Sequence, residues 1–221
     1  EKKRWEIMRA FKKYVAPQIV DEVSKGGDFQ ITLGGERRDV AVMFVDIRGF
    51  TSLSENLEPE EVVEILNEYL NLTTRAIFKN GGTLDKFIGD ATMAVFNAPF
   101  DLDDYIYRAV CTARDIVAGA QDLENRMEER FHKKVNFGIG INCGPAVVGN
   151  VGCDFRMDYT AIGDTVNTAS RLEGKARASE ILISEPVYEA LRERICVTEK
   201  GMMPLKGKAK DIRVYRVDEV L

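Results

Sequence analysis

The stretch TLDKFIGDATMAVFN, residues 83–97, consists of two short apolar runs joined at Gly89 and Asp90. A Gly-Asp pair between two such runs is typical of a β-hairpin. Lys86 and Asp90 are charged residues within an otherwise apolar segment. They belong either to a solvated turn between the strands or to a functional site.

The segments around the hairpin predict the rest of the core. DVAVMFVDI, residues 39–47, is a continuous apolar run and therefore a buried strand. A helix begins at Pro59 and ends before Gly81 and Gly82. A second amphipathic helix over residues 103–130 leads to a fourth strand, VNFGIGIN, at residues 135–142. The order β-α-β-β-α-β is the ferredoxin-like pattern.

Further elements are predicted after this core. They are short strands at 144–152 and 156–163, a helix at 164–176 with Asp164 as its N-cap, a strand and helix within 180–194, and short strands around 205–210. We therefore predict an α+β fold, in which additional C-terminal strands and helices follow a ferredoxin-like βαββαβ core. We expect an N-terminal helical linker segment at 1–35 and one domain at 36–221.

Composition excludes several classes of function. The 221-residue chain has a net charge of −5, so it lacks the basic footprint of a nucleic-acid-binding protein. No apolar run approaches the roughly 18–20 residues of a membrane span. With His132 as the only histidine and no C-x-x-C pair, catalysis by Ser-His or Cys-His is effectively excluded. Any acid–base or metal chemistry must use carboxylates.

The cysteines and the first residue lead to two expectations about the cellular setting. The four cysteines are expected to be buried free thiols, which are typical of a reducing, cytoplasmic compartment. The chain starts at Glu1 instead of Met, so we expect a longer protein with an upstream regulatory domain. Such a full-length protein could still be tethered to a membrane.

Two aspartates are expected to meet at one edge of the core. In the ferredoxin-like order the first strand lies beside the third, which brings Asp46 close to Asp90. Two neighbouring carboxylates repel each other unless a cation neutralises them. Oxygen ligands with substrate phosphates suit Mg²⁺ or Mn²⁺, so the pair predicts a metal site. The alternative is that Asp90 is an ordinary turn residue.

Three further groups have a possible role in binding phosphate. Exposed N–H groups at the turn containing Phe50 and Thr51 could hold a triphosphate. Asn167 and Arg171 are four residues apart and share one helix face, where an arginine could stabilise a phosphoryl transition state. Lys206 lies beside a glycine near the C-terminus. The alternatives are an exposed polar helix face and a surface lysine turn.

The motifs FVDIRGFT, DKFIGDA, YTAIGDTVNTASRLE and LKGK, in this order and at these separations, closely resemble class III nucleotide cyclases. The resemblance spans roughly residues 36–217. Within this family, the motifs resemble the adenylate cyclase catalytic domain of the bacterial homodimeric type. This resemblance implies that ATP is converted to 3′,5′-cyclic AMP and pyrophosphate, with two Mg²⁺ or Mn²⁺ ions per active site.

The resemblance also implies roles for individual residues. Asp46 and Asp90 match the metal ligands, and Lys86 matches the lysine that reads the adenine. Thr160 occupies the second adenine-recognition position, where many members of the family carry aspartate. Threonine there is typical of a subgroup that is often linked to bicarbonate responsiveness.

The remaining roles concern the sugar and the phosphates. Asn167 matches the residue that orients the ribose, Arg171 the contact to the α-phosphate, and Lys206 the lysine for the terminal phosphates. In this family the site lies between two chains, one of which supplies the metal ligands while the other supplies the purine and transition-state residues. The general base stays open among Asp46, water and a substrate phosphate.

Lys86 favours ATP over GTP, because an ammonium can only donate a hydrogen bond and adenine N1 is an acceptor. Guanine presents N1–H at that point, and guanylate cyclases place an acidic residue there. A guanylate cyclase and a catalytically dead nucleotide-binding regulatory module are the alternatives. A diguanylate cyclase fits less well, because LGGERR at 33–38 precedes the first strand instead of lying in the hairpin.

Overall fold

A mixed sheet of eight strands forms the centre of the computed structural model, which describes Val20, residues 33–204 and residues 211–221. The elements in chain order are β1 (Gly34–Arg48), α1 (Phe50–Ser54), α2 (Pro59–Lys79), β2 (Thr83–Ile88), β3 (Ala91–Phe96), α3 (Tyr105–Gly119), α4 (Gln121–Phe131), β4 (Asn136–Cys153), β5 (Arg156–Ile162), α5 (Asp164–Glu173), β6 (Glu180–Ser184), α6 (Glu185–Leu191), β7 (Ile195–Met203) and β8 (Ile212–Val220).

The strand order confirms the predicted core. The sheet runs β2-β3-β1-β4-β6-β8-β7, and β5 pairs with β4 outside this path. The first four strands therefore have the ferredoxin-like arrangement, with β1 antiparallel to both β3 and β4. The strands β6, β8 and β7 extend the sheet beyond β4, as the predicted C-terminal additions require.

The two faces of the sheet are covered differently, as alternation along β1 shows. Ala41, Met43, Val45 and Ile47 pack into a core with residues of α2 and α3, so we call this side the α2/α3 face. Val40, Val42 and Phe44 pack on the opposite side with residues of α5, which we call the α5 face.

Alternating glycine and isoleucine in β4 explain why α5 lies so close to the sheet. Ile139 and Ile141 are buried on the α2/α3 face, while Gly138 and Gly140 lie on the α5 face. A Cβ atom at Gly140 would overlap the backbone nitrogen of Glu173 and lie 2.5 Å from the carbonyl oxygen of Ala169. The backbone of α5 therefore packs directly on β4, and no larger residue fits at Gly140.

Three predicted elements differ from the structure. The helix expected over 103–130 is divided into α3 and α4 at Ala120, after Gly119, where glycine is a poor helix former and packs against Leu72. Residues 144–152 are not a separate strand but continue β4, because β1 extends back to Gly34 and pairs along this whole length. The N-cap of α5 is Gly163, and Asp164 is the first helical residue.

The cysteine and chain-end expectations have mixed outcomes. All four cysteines are free, but the expectation that all are buried is wrong, since Cys153 and Cys196 are exposed. β1 begins at Gly34, and most of the segment 1–35 lies outside the described residues. No helix in the described part of the chain is both long and apolar enough to cross a membrane.

Candidate active site

The structure brings Asp46 and Asp90 together, as the topology predicts. Asp46 lies near the end of β1, and Asp90 lies in the turn that leads into β3. Val45 of β1 is paired with Thr92 of β3, which places the two aspartates at the same edge of the sheet. Burial raises the pKa of Asp46, Arg48 opposes this change, and the negative charge of Asp90 adds to it.

Arg48 and Glu173 complete this group of charges, and neither was predicted from the sequence. The guanidinium of Arg48 donates to Asp46 Oδ2, to Glu173 Oε1 and to the backbone carbonyl of Glu173. Its Nε donates to the carbonyl oxygen of Ala176 over 2.9 Å. Arg48 therefore ties the end of β1 to the end of α5. The available signal was the i, i+2 spacing of Asp46 and Arg48, which puts both on one face of a strand.

The aspartate pair fits a divalent cation. Both side chains are carboxylates, which hard ions prefer. Burial raises the pKa of Asp46 and the charge of Asp90 adds to the rise, so a cation between them would favour the ionised carboxylate. No cluster of three or more acidic, histidine or cysteine side chains suited to a metal occurs within residues 33–204 and 211–221. Water and substrate oxygens would therefore have to fill the remaining coordination positions.

Lys86 and Thr160 are joined through Asp85, a residue that the sequence did not single out. The Thr160 hydroxyl donates to Asp85 Oδ2 over 2.7 Å, and the backbone N–H of Ala161 donates to the same oxygen over 3.3 Å. The Lys86 ammonium lies 3.5 Å from Asp85 Oδ1. The two residues matched to adenine recognition thus lie on either side of one buried carboxylate.

A β-bulge in β2 produces this arrangement. Leu84 is paired with Ala94, whereas Lys86 is paired with the next residue, Met93, so Asp85 is the extra residue of the bulge. Leu84 packs on the α2/α3 face, while Met93 belongs to the core of the α5 face. In a regular strand, adjacent side chains point to opposite faces. The bulge instead puts Asp85 and Lys86 on the α5 face together.

The helix α5 carries Asn167 and Arg171, as predicted. Thr165, Val166, Thr168, Ala169 and Leu172 are its buried residues. Asn167 is exposed and Arg171 is partly buried. Both lie away from the buried side of the helix, which leaves their polar groups available to a ligand.

Two of the three remaining predicted binding residues, Phe50 and Thr51, lie at the start of α1. The Phe50 side chain is buried in the core, so only its backbone N–H could meet a phosphate. Thr51 is exposed in α1, whose N-cap is Gly49 with a φ of 86°. A Cβ atom at Gly49 would lie 2.6 Å from the carbonyl oxygen of Lys134, so glycine is required there. Lys206 lies outside the described residues.

Fold and motifs together define a nucleotide cyclase catalytic domain. The family model for the adenylate and guanylate cyclase catalytic domain matches residues 35–219, and the chain belongs to this family. Among curated relatives, an adenylate cyclase of Anabaena cylindrica is 35% identical over 94% of the chain and 42% of its own length. Adenylate cyclase 1 of Rhizobium meliloti is 34% identical over 94% of the chain and 31% of its length. The chain therefore spans less than half of these relatives.

Solved structures of both activities resemble the chain. The adenylyl cyclase CyaB from P. aeruginosa is 38% identical with a TM-score of 0.81, covering 86% of this chain and 98% of that one. The guanylyl cyclase Cya2 is 34% identical with a TM-score of 0.79, covering 86% and 96%. The expected class III cyclase fold is thus confirmed, and the choice of purine has to be argued from the site.

Proposed function

We propose that this domain is an adenylate cyclase that converts ATP to 3′,5′-cyclic AMP and pyrophosphate. The observation that carries the proposal is the gathering of the site residues on the α5 face. By strand alternation, Asp46 lies on the same side of β1 as Val42 and Phe44. The bulge brings Lys86 to that face, and α5, which packs against it, carries Asn167 and Arg171 outside its buried side.

Asp46 and Asp90 would hold the divalent ions, two Mg²⁺ or Mn²⁺ per site by the family resemblance. Bound there, the ions would neutralise triphosphate charge and lower the pKa of the ribose 3′-hydroxyl. The protein's part is to keep two carboxylates adjacent and mostly shielded from solvent. Arg48 offsets part of their charge through its hydrogen bond to Asp46.

Arg171 and Asn167 would act on the reacting centre. The ribose 3′-hydroxyl would give its proton to a base, for which Asp46, water and a substrate phosphate stay open. Its oxygen would form a bond to the α-phosphorus while the bond from that phosphorus to the oxygen bridging to the β-phosphate breaks, and pyrophosphate would leave with the electron pair of that bond. Negative charge that builds on the α-phosphate oxygens is stabilised by the Arg171 guanidinium. Asn167 would orient the ribose, and Lys206 with the N–H groups of Phe50 and Thr51 would bind the terminal phosphates.

Lys86 supports ATP as the substrate instead of GTP. Its ammonium has donors only, which match adenine N1 and oppose the N1–H of guanine. Thr160 would lie at the second purine-reading position. Guanylate cyclase remains the alternative within the family, and a catalytically dead nucleotide-binding module is the alternative outside enzymes.

We further propose that a second copy of the chain completes each site. Apolar side chains are exposed on β2 at Phe87 and Ile88, and on the paired β4 and β5 at Val147 and Ile162. Burying them against an identical domain would remove this apolar surface from water. By two-fold symmetry the dimer would have two equivalent sites, each with metal ligands from one chain and purine-reading residues from the other.

The domain limits and the cellular location are also proposals. We assign residues 36–221 to the catalytic domain and residues 1–35 to a linker from an upstream regulatory domain. The greater length of the curated relatives supports such a domain. Because the four cysteines are free thiols, which are typical of a reducing compartment, we place the catalytic domain in the cytoplasm.

Product chromatography tests the proposed activity. The protein is incubated with Mn²⁺ and either ATP or GTP, with the Asp90→Ala variant as the control. We expect cyclic AMP and pyrophosphate from ATP, much less cyclic GMP from GTP, and almost no product from the variant. Cyclic GMP as the main product would establish the guanylate cyclase alternative. Bound but unchanged ATP would favour the regulatory module.

A further inference from the structure

A threonine at the second purine-reading position is ambiguous by itself. Its hydroxyl group can donate or accept a hydrogen bond. It could therefore accept from the N6 amino group of adenine or donate to the O6 carbonyl of guanine. An aspartate at that position, which many relatives carry, can only accept when ionised. Something else must decide which role the Thr160 hydroxyl takes.

The structure already assigns the hydroxyl hydrogen of Thr160. It is donated to Asp85 Oδ2 over 2.7 Å. The same oxygen accepts the backbone N–H of Ala161, which fixes the carboxylate against β5. The Asp85 side chain is only 2% exposed, so water does not compete for this hydrogen bond. With its hydrogen in use, the Thr160 oxygen has only lone pairs to offer a ligand.

We propose that Asp85 is a positioning residue for purine choice, because it makes the Thr160 hydroxyl an acceptor that selects the adenine N6 amino group. This inference rests on the proposed function, since it concerns the purine-reading residues of that site. Thr160 with Asp85 behind it then presents what an ionised aspartate would present. The specificity belongs to the pair of residues and not to the threonine alone.

The second oxygen of Asp85 serves Lys86. Among the described residues, Oδ1 is buried and accepts no hydrogen bond, yet the Lys86 ammonium lies 3.5 Å from it. This negative charge attracts the ammonium to the edge at which Thr160 lies. A donor for N1 and an acceptor for N6 are the complement of adenine, whereas guanine presents N1–H and O6. The bulge at Asp85 is what places these groups on one face.

A double-mutant cycle tests the proposal. Asp85→Ala, Thr160→Val and the double variant are compared with the wild type by kcat/KM for ATP and GTP with Mn²⁺. Asp85→Ala frees the Thr160 hydroxyl to donate to guanine. We expect it to lower the ATP/GTP ratio by about tenfold, which is near the upper end of the contribution of one hydrogen bond. In the Thr160→Val background, Asp85→Ala should change the ATP/GTP ratio by less than threefold, which is about half the free energy of a tenfold change.

Asp85→Asn is the matched conservative variant. Its amide oxygen can still accept from the Thr160 hydroxyl and the Ala161 N–H, while the charge that attracts Lys86 is lost. We therefore expect the ATP/GTP ratio to fall, but by no more than about threefold from wild type. This variant also keeps the test decisive if Asp85→Ala does not fold. A loss of discrimination in Asp85→Asn as large as that in Thr160→Val would overturn the proposal. So would an equal effect of Asp85→Ala in both backgrounds, because Asp85 would then act without Thr160.

Equilibrium binding of the α,β-methylene analogues of ATP and GTP separates this inference from the proposed activity. If the wild type forms no cyclic nucleotide but prefers the ATP analogue, and Asp85→Ala weakens that preference, the purine inference holds while the activity fails. If cyclic AMP forms but Asp85→Ala changes neither preference, the activity stands and the inference fails. A wild type that binds neither analogue overturns both.

Discussion

Replacing Arg48 by alanine tests how far the aspartate pair depends on a neighbouring positive charge. Arg48 makes four hydrogen bonds, to the carboxylates of Asp46 and Glu173 and to the backbone carbonyls of Glu173 and Ala176. Alanine removes all four. It leaves Asp46 and Glu173 as neighbouring negative charges, with Asp90 adding to the repulsion.

The exposure of the three side chains sets the expected magnitude. Arg48, Asp46 and Glu173 are 27%, 19% and 13% exposed, so these pairs are mostly but not fully buried. Breaking a buried charge pair costs about 3–5 kcal/mol, and partial solvation reduces this to about 2–3 kcal/mol. For a chain of this size, that corresponds to a decrease in Tm of about 4–12 °C.

Thermal unfolding with and without Mn²⁺ is the assay. Because a divalent cation at Asp46 and Asp90 would replace the lost positive charge, we expect saturating Mn²⁺ to stabilise Arg48→Ala more than the wild type. The control is Arg130→Ala, which removes the ion pair between Arg130 and Glu61. The Arg130 side chain is 61% exposed and the Glu61 side chain is 37% exposed. Such a pair contributes about 0–1 kcal/mol. A loss in Arg48→Ala no larger than in this control, or equal stabilisation by Mn²⁺, would refute the reasoning.

Three further predictions concern the packing of α5, the buried carboxylate and the transition state. Gly140→Ala should destabilise the protein by about 1–3 kcal/mol in urea unfolding, because the added methyl group overlaps the backbone of α5. Gly174→Ala, where the nearest atom is 3.6 Å away, should change stability by less than about 0.5 kcal/mol, and equal losses would contradict the argument. Burial raises the pKa of Asp85 above its usual value of 3.8, because the native state disfavours the ionised carboxylate. The stability of the wild type therefore falls as the pH rises from 3.8 through the raised pKa. The stability of Asp85→Asn relative to wild type should therefore rise with pH from the usual value towards neutrality, and a flat or falling difference would be inconsistent with this. Arg171→Ala should lower kcat for cyclic AMP formation by about 10²–10³, whereas a loss of only two- or threefold would remove Arg171 from the mechanism.

The core of the fold and the aspartate pair were predictable because they depend on local patterns. The apolar run before Asp46, the hairpin at Gly89 and the helices between them follow from periodicity and turn residues. Once the strand order is known, the approach of Asp46 to Asp90 follows from topology alone. The division of the long helix at Ala120 was not predictable, because the apolar periodicity continues across it.

The partners of the site residues depend on contacts between distant segments. Regular alternation in TLDKFI would place Asp85 and Lys86 on opposite faces, and only the bulge brings them together. That bulge is accompanied by the hydrogen bond from Thr160, which is far away in sequence. Arg48 likewise meets Glu173 only because Gly138 and Gly140 let α5 approach the sheet. A single sequence contains no local signal for either contact.

Mixing Lys86→Ala with Asp90→Ala chains tests most directly the claim that two copies share two active sites. Lys86 and Asp90 lie on one hairpin, yet in the proposed dimer they serve different active sites. Each variant homodimer should be nearly inactive. Random assembly of equal amounts gives about half heterodimers, each with one of two sites intact, so the mixture should recover about one quarter of wild-type cyclic AMP formation. If heterodimers form but activity does not return, the shared-site account is wrong.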